Sequence, residues 1–159
     1  MMSRFFKFLH LLGLTLFLGS IFGHIVAGAL AGAPGGPAFL AARAQIVEAT
    51  RLLTLPGLGL LLVSGAAMLA AARMSPLRAD WLTAHVAGAA VVAVNSLLFV
   101  CPAGRQALAL TRAGEYGEAL SRAILAEDGF GAVNVALALA LIALGLYKPA
   151  LFRRRAAAA

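Results

Sequence analysis

Four apolar runs, at about 5–27, 52–72, 81–101 and 128–147, constrain this chain more than any other feature. Each holds about 20 residues, and a helix rising 1.5 Å per residue needs that length to cross a hydrocarbon core of about 30 Å. Composition agrees: 62% of the 159 residues are hydrophobic, mean hydropathy is +0.95, and charged residues make up 12%, against about 25% in soluble domains. The expected fold is all-α: one integral membrane domain over residues 1–159, an antiparallel four-helix bundle with no sizeable soluble part.

The connections refine this expectation. Pro34, Gly35, Gly36 and Pro37 stop any helix, and a helical restart follows at about 41–51. In "EYGEALSRAIL", Tyr116, Leu120 and Ile124 recur on one helical face, which predicts a short interfacial helix between the third and fourth spans. Pro56 falls in the first turn region of the second span, where a missing N–H is tolerated. The third helix is expected to end at Pro102, and the fourth at Lys148–Pro149. Trp81, Tyr116 and Tyr147 sit at span ends as aromatic anchors do. The single cysteine, Cys101, forms no internal disulfide and reads as a small apolar residue at a helix terminus. The first apolar run is longer than the h-region of a signal peptide and is interrupted by His10 and His24, so it reads as a retained span. No repeat of fixed period emerges, and the alanine ending carries no fold information.

Four spans put both termini on one side of the membrane. That side carries Arg4, Lys7, Arg73, Arg78, Lys148, Arg153, Arg154 and Arg155 against Asp80 alone. On the other, Arg43, Arg51, Arg105, Arg112 and Arg122 are balanced by Glu48, Glu115, Glu118, Glu127 and Asp128. The positive-inside rule then gives N-in/C-in topology in a bacterial inner membrane. The formal net charge of +7 is a topology signal and not a nucleic-acid footprint, and "FRRR" near the C-terminus anchors the fourth helix to anionic lipid.

Ionisable groups inside a membrane span are functional suspects by default. Here they are His10 and His24 on the first helix and His85 on the third, with Asn95, Ser96 and Asn134 in support. No Asp, Glu, Lys or Arg lies near the middle of a span, which disfavours a carboxylate proton relay. Counted from Phe5 and Trp81, His10 and His85 sit at about the same depth, roughly 6 to 8 Å from one surface. In an up-down bundle their helices are diagonal, about 11 to 14 Å apart. That gap suits two imidazoles reaching one iron, so His10 and His85 are the candidate axial ligands of haem b, with Met68 as a substitute. Gly13, Ser20 and Gly88 beside them offer either room for a flat macrocycle or close helix packing; Gly19 and Gly23 form a small-xxx-small pair of the packing kind. A bare zinc or copper ion would need three or four ligands. His24 lies about 40° from His10 around the helix and about 21 Å further along it. With Asp128, or its neighbour Glu127, it forms a possible second polar site near the outer surface.

The stretches "FFKFLHLLGLTLFLGSIF", "TRLLTLPGLGLLLVSGAAML", "DWLTAHV" and "ALGLYKP" resemble a family of small bacterial four-helix membrane proteins of unknown function. More distantly, "KFLHLLGLTLFLGS" is similar to the opening helix of HemJ-type protoporphyrinogen oxidases and of CopD-like copper-resistance proteins. The HemJ resemblance implies haem b and oxidoreductase chemistry, with His10 matching the first-helix histidine. "WLTAHV" departs from the HemJ third-helix pattern, in which histidine directly follows Trp-Leu and a lysine comes soon after. The CopD resemblance implies copper handling, although clusters of methionine and histidine are missing.

The expected function is therefore a membrane haem b redox protein passing electrons between a quinone or porphyrin-like reductant and a partner. The alternatives are a cofactor-free transporter subunit or assembly partner, and a copper-handling membrane protein. Glycine faces also allow a homo-oligomer.

Overall fold

The computed structural model describes residues 2–73, 75 and 79–149; Arg78 and the C-terminal tail with its "FRRR" run lie outside the described residues. Four helices account for nearly all of it: α1 (Met2–Ala29), α2 (Pro37–Ala71), α3 (Asp80–Ala113) and α4 (Glu118–Tyr147). Each is long and apolar enough to cross a membrane, and there is no strand among the described residues. The expected all-α four-span bundle is the observed one. Both chain ends and the α2–α3 connection lie at one end of the bundle, the terminal end; the other two connections form the far end.

The helices outrun the apolar runs because two of them pass through prolines. In α2 a π-helical turn, Thr50–Thr54, precedes Pro56; in α3 a second one, Ser96–Val100, precedes Pro102. A proline inside a regular α-helix collides with the carbonyl four residues back and leaves it without a donor. Opening the preceding turn to i→i−5 hydrogen bonds, Leu55 N–H to Thr50 and Cys101 N–H to Ser96, relieves both problems. The third helix therefore does not end at Pro102 but continues to Ala113, where Gly114 in the left-handed conformation (φ 75°) closes it. Nor does the 41–51 restart stand apart from the second span.

The expected interfacial helix is likewise replaced. Residues 118–127 are the first turns of α4, and Leu120 and Ile124 face inward against Phe39, Ala42 and Ala107. The face was correctly read, but it meets protein instead of lipid headgroups. Tyr116 sits in the α3–α4 turn, stacked near Gly35 of the α1–α2 turn.

Around the bundle, α1 packs on α2, α2 on α3 toward the far end, and α3 on α4, while α4 closes on α1 through a narrow contact. Thus α1 and α3 are diagonal, as are α2 and α4. Phe17, Ile21, Leu58, Val92 and Ala138 meet in a core drawn from all four helices. Phe8, Leu11, Ile25, Val63, Leu98 and Leu139 point outward, as lipid-facing residues must.

Although no fixed period is visible, the two hairpins are built alike. His10, Gly13, Phe17 and Ser20 of α1 have counterparts at identical spacing in His85, Gly88, Val92 and Asn95 of α3. Thr54, Leu58, Leu61 and Gly65 of α2 correspond in the same way to Asn134, Ala138, Leu141 and Gly145 of α4. Equivalent residues make equivalent contacts. Ser20 bonds Thr54 at 2.7 Å and Asn95 bonds Asn134 at 2.8 Å. Leu61 fills the space beside Gly13, and Leu141 fills the space beside Gly88. Hairpins repeated in the same order and direction are parallel repeats, related by an approximate two-fold axis along the bundle.

Candidate functional site

The site begins with a seam. On α1, His10, Gly13, Phe17, Ser20 and His24 recur every three or four residues and face α2. Gly13 allows the backbones to meet: a Cβ there would stand 2.9 Å from the carbonyl oxygen of Gly57. This close approach carries His10 onto α2, where a Cβ on Gly65 would lie 3.5 Å from the imidazole Cε1.

His10 Nδ1 lies 3.1 Å from the carbonyl oxygen of Leu61 and 3.0 Å from Ser64 Oγ. A carbonyl only accepts, and the Ser64 hydroxyl already donates to Leu60 at 2.5 Å. Both contacts therefore require the proton on Nδ1, which leaves Nε2 as a free lone pair. Anchoring Nδ1–H on a carbonyl is how proteins fix a metal-binding imidazole.

His85 occupies the equivalent station on α3. A Cβ on Gly145 would lie 3.7 Å from its Cε1, matching Gly65 against His10. The carbonyl of Leu141, counterpart of Leu61, acts on its ring, but Nδ1 is buried with no partner in hydrogen-bond geometry. The two imidazoles, on diagonal helices, are close enough for a charge on one to act on the other.

Met68 continues the Leu61–Ser64 face of α2 by one more turn and is half-buried. The space beside Gly13 and Gly88 is taken by α2 and α4, so these glycines act in helix packing around the site. Among the described residues no group of three or more His, Cys, Asp or Glu could hold a metal ion. Two imidazoles are fewer than the three or four ligands that a bare zinc or copper ion ordinarily takes.

At the far end the arrangement differs from expectation. His24 Nε2 shares a 3.2 Å hydrogen bond with Ser20, its neighbour one turn back, and lies within electrostatic reach of Arg43. Asp128 is exposed; it is Glu127 that turns inward. Its Oε2 accepts from Arg43 Nη1 at 2.6 Å, a diagonal bridge between α2 and α4 with both side chains buried. Gly104 is essential to this fit, since a Cβ there would stand 2.6 Å from Glu127 Oε1. Reading Arg43 as a surface charge missed this pair. The only clue in the sequence is its place in the apolar stretch "FLAARAQIV", where a solvated face would show more polar residues.

Comparison with known proteins adds the family. No curated protein matches the chain, HemJ-type and CopD-like proteins included, and no solved structure does. A family model described as "Predicted integral membrane protein (DUF2269)" matches residues 4–149, all four helices, and the chain belongs to that family.

Proposed function

We propose that this protein is a membrane redox carrier that holds haem b in the half of the bundle nearest the termini, with His10 and His85 as axial ligands. The observation that carries this reading is the locked His10 ring: Leu61 and Ser64 hold its proton on Nδ1, Nε2 is left free, and a second imidazole lies within electrostatic reach on the diagonal helix. Bound haem would supply one-electron exchange at iron, and the chain would tune it through axial ligation and burial. Met68 is the next candidate ligand if the assignment of either histidine is wrong. Charge asymmetry supports placing this end of the bundle at the cytoplasmic face of a bacterial inner membrane. A quinol or porphyrin-like reductant dissolved in the bilayer would deliver electrons there.

The test is an oxidised-minus-reduced spectrum of detergent-purified protein expressed with haem precursor. A sharp Soret and α-band change is expected; His10→Ala should abolish it, and His24→Ala should leave it unaltered. A colourless protein, or full haem retention by His10→Ala, would sink the assignment. Colourless protein that tolerates loss of both His10 and His85 would point instead to a cofactor-free transport or assembly role, and bound copper without a porphyrin spectrum to metal handling.

A further inference from the structure

The two hairpins differ along their outer seams. In the first, Gly13 and Gly57 let the backbones touch, and a Cβ on Gly57 would stand 2.8 Å from the Phe17 nitrogen. In the second, Leu137 holds the station of Gly57, and α3 meets α4 through the Leu141 side chain beside Gly88. Leucine side chains where the first hairpin has bare backbone set α3 and α4 further apart, and the lipid-facing side of their seam stays open.

Two hollows lie along that seam. The lower, about 380 Å³, is lined by Val91, Val94, Asn95, Phe99, Phe130 and Val133, with the Phe99 and Phe130 rings stacked at 4.6 Å. Asn95 leaves it apolar, because its amide N–H groups are spent on the Phe130 carbonyl and on Asn134. The upper, about 330 Å³, is floored by alanines and flanked by Gln106 and Arg122. On α3, Val91, Asn95, Phe99, Ala103 and Gln106 recur every three or four residues; on α4, Val133, Phe130, Ala126, Arg122 and Ala119 do the same. Both hollows therefore share one face and form one groove.

We propose that this groove binds one phospholipid whose headgroup carries a primary ammonium, as in phosphatidylethanolamine. An acyl chain fills the lower hollow, the phosphate meets Arg122 and Gln106, and the ammonium meets Glu118. Depth supports each assignment. The lower hollow lies within the apolar runs of α3 and α4, whereas Gln106 and Arg122 lie beyond them. From Val91 to Gln106 a helix rises about 22 Å, which matches one leaflet with its headgroups, half of about 40–45 Å. Charge supports the headgroup. Arg122 Nε stands 3.6 Å from Glu118 Oε1 with both side chains exposed, a weak pair in water that leaves the Nη edge of the guanidinium for phosphate. A cation and an anion one helical turn apart complement a zwitterion whose phosphate and ammonium are joined by a short linker. A head without the ammonium leaves Glu118 beside the phosphate, and a trimethylammonium has no N–H to donate.

The experiment uses the full-length protein, delipidated in detergent and titrated with phosphatidylethanolamine, phosphatidylglycerol or phosphatidylcholine, with bound lipid counted by native mass spectrometry. The native chain should retain one phosphatidylethanolamine, bound at least tenfold more tightly than the other two. Arg122→Ala should weaken that binding tenfold or more, and Glu118→Gln should abolish the preference over phosphatidylcholine. Val94→Trp, which fills the lower hollow from an exposed position, should retain no lipid, while Val63→Trp on the exposed face of α2 should bind as the native chain does. Melting temperatures without lipid should be alike in all four variants, which separates lost binding from lost folding. Equal binding of the three lipids, a preference for phosphatidylglycerol, or native affinity in Arg122→Ala or Val94→Trp would each overturn the proposal.

Discussion

At the scale of single residues, the buried Arg43–Glu127 pair shows how strongly context decides what a charge does. Two ions desolvated together are tolerable; one left alone is not, and breaking such a pair costs about 3–5 kcal/mol. Arg43→Ala and Glu127→Ala should each lower stability by that order, whereas Arg43→Leu with Glu127→Leu should cost far less than their sum, a non-additivity that a thermal double-mutant cycle in detergent would measure. Additive losses would mean that the side chains act separately. Glycines divide in a similar way. A methyl at Gly13 would press on the Gly57 carbonyl, a backbone atom that can yield only if α1 and α2 separate, while Gly19 has nothing within 4 Å. Gly13→Ala should therefore destabilise by about 1–3 kcal/mol, and Gly19→Ala should be neutral or gain from helix propensity. Equal shifts in melting temperature for the two variants would contradict this packing.

At the scale of elements, the π-turns explain how α2 and α3 each carry a proline without ending there. A π-turn houses one extra residue while the flanking α segments keep their phase. Deleting Leu52, which is 65% exposed within the first π-turn, should return α2 to regular α geometry and drive Pro56 against a carbonyl, at a cost of about 3 kcal/mol. The same deletion combined with Pro56→Leu should regain most of that stability, and a failure to do so in thermal unfolding would show that the turn serves something other than the proline. This device also marks the limit of what the sequence could tell. Apolar runs and the three-and-four spacing of His10, Gly13, Phe17 and Ser20 made the spans and the α1 seam legible, because hydrophobic periodicity reports directly on burial. Pro102 read as a stop because a π-turn has no sequence signature, and that reading cut α3 short. The Leu120 and Ile124 face was legible, but its partner was not: an apolar stripe looks the same whether lipid or Phe39 covers it.

At the scale of the molecule, the histidine site lies where two similar hairpins meet, and this was the part hardest to read from the sequence. Counterparts across the approximate axis differ in kind, Ser20 for Asn95, Phe17 for Val92, Leu58 for Ala138, since what is preserved is station and contact. The second hairpin also has a longer run between its histidine and its matching glycine, so no single period aligns both helices at once. His10 and His85 were nonetheless paired by depth, because each hairpin enters at the same end and places its histidine a similar distance along its first helix. If the hairpins are separate units joined by a short connection, cutting that connection should be tolerated. The core of Phe17, Leu58, Val92 and Ala138 and the Arg43–Glu127 bridge cross between hairpins and would hold them together. Each half also keeps basic residues at its ends, Arg4, Lys7 and Arg73 in the first and Lys148 with Arg153 to Arg155 in the second, so each can orient itself in the membrane. Residues 1–75 and 76–159 expressed as two chains should therefore co-purify through a tag on either one, and Glu127→Ala should weaken the association because it leaves Arg43 buried and unpaired at the junction. Recovery of the tagged half alone would mean that the short connection between α2 and α3, and not the shared core, holds the two hairpins together.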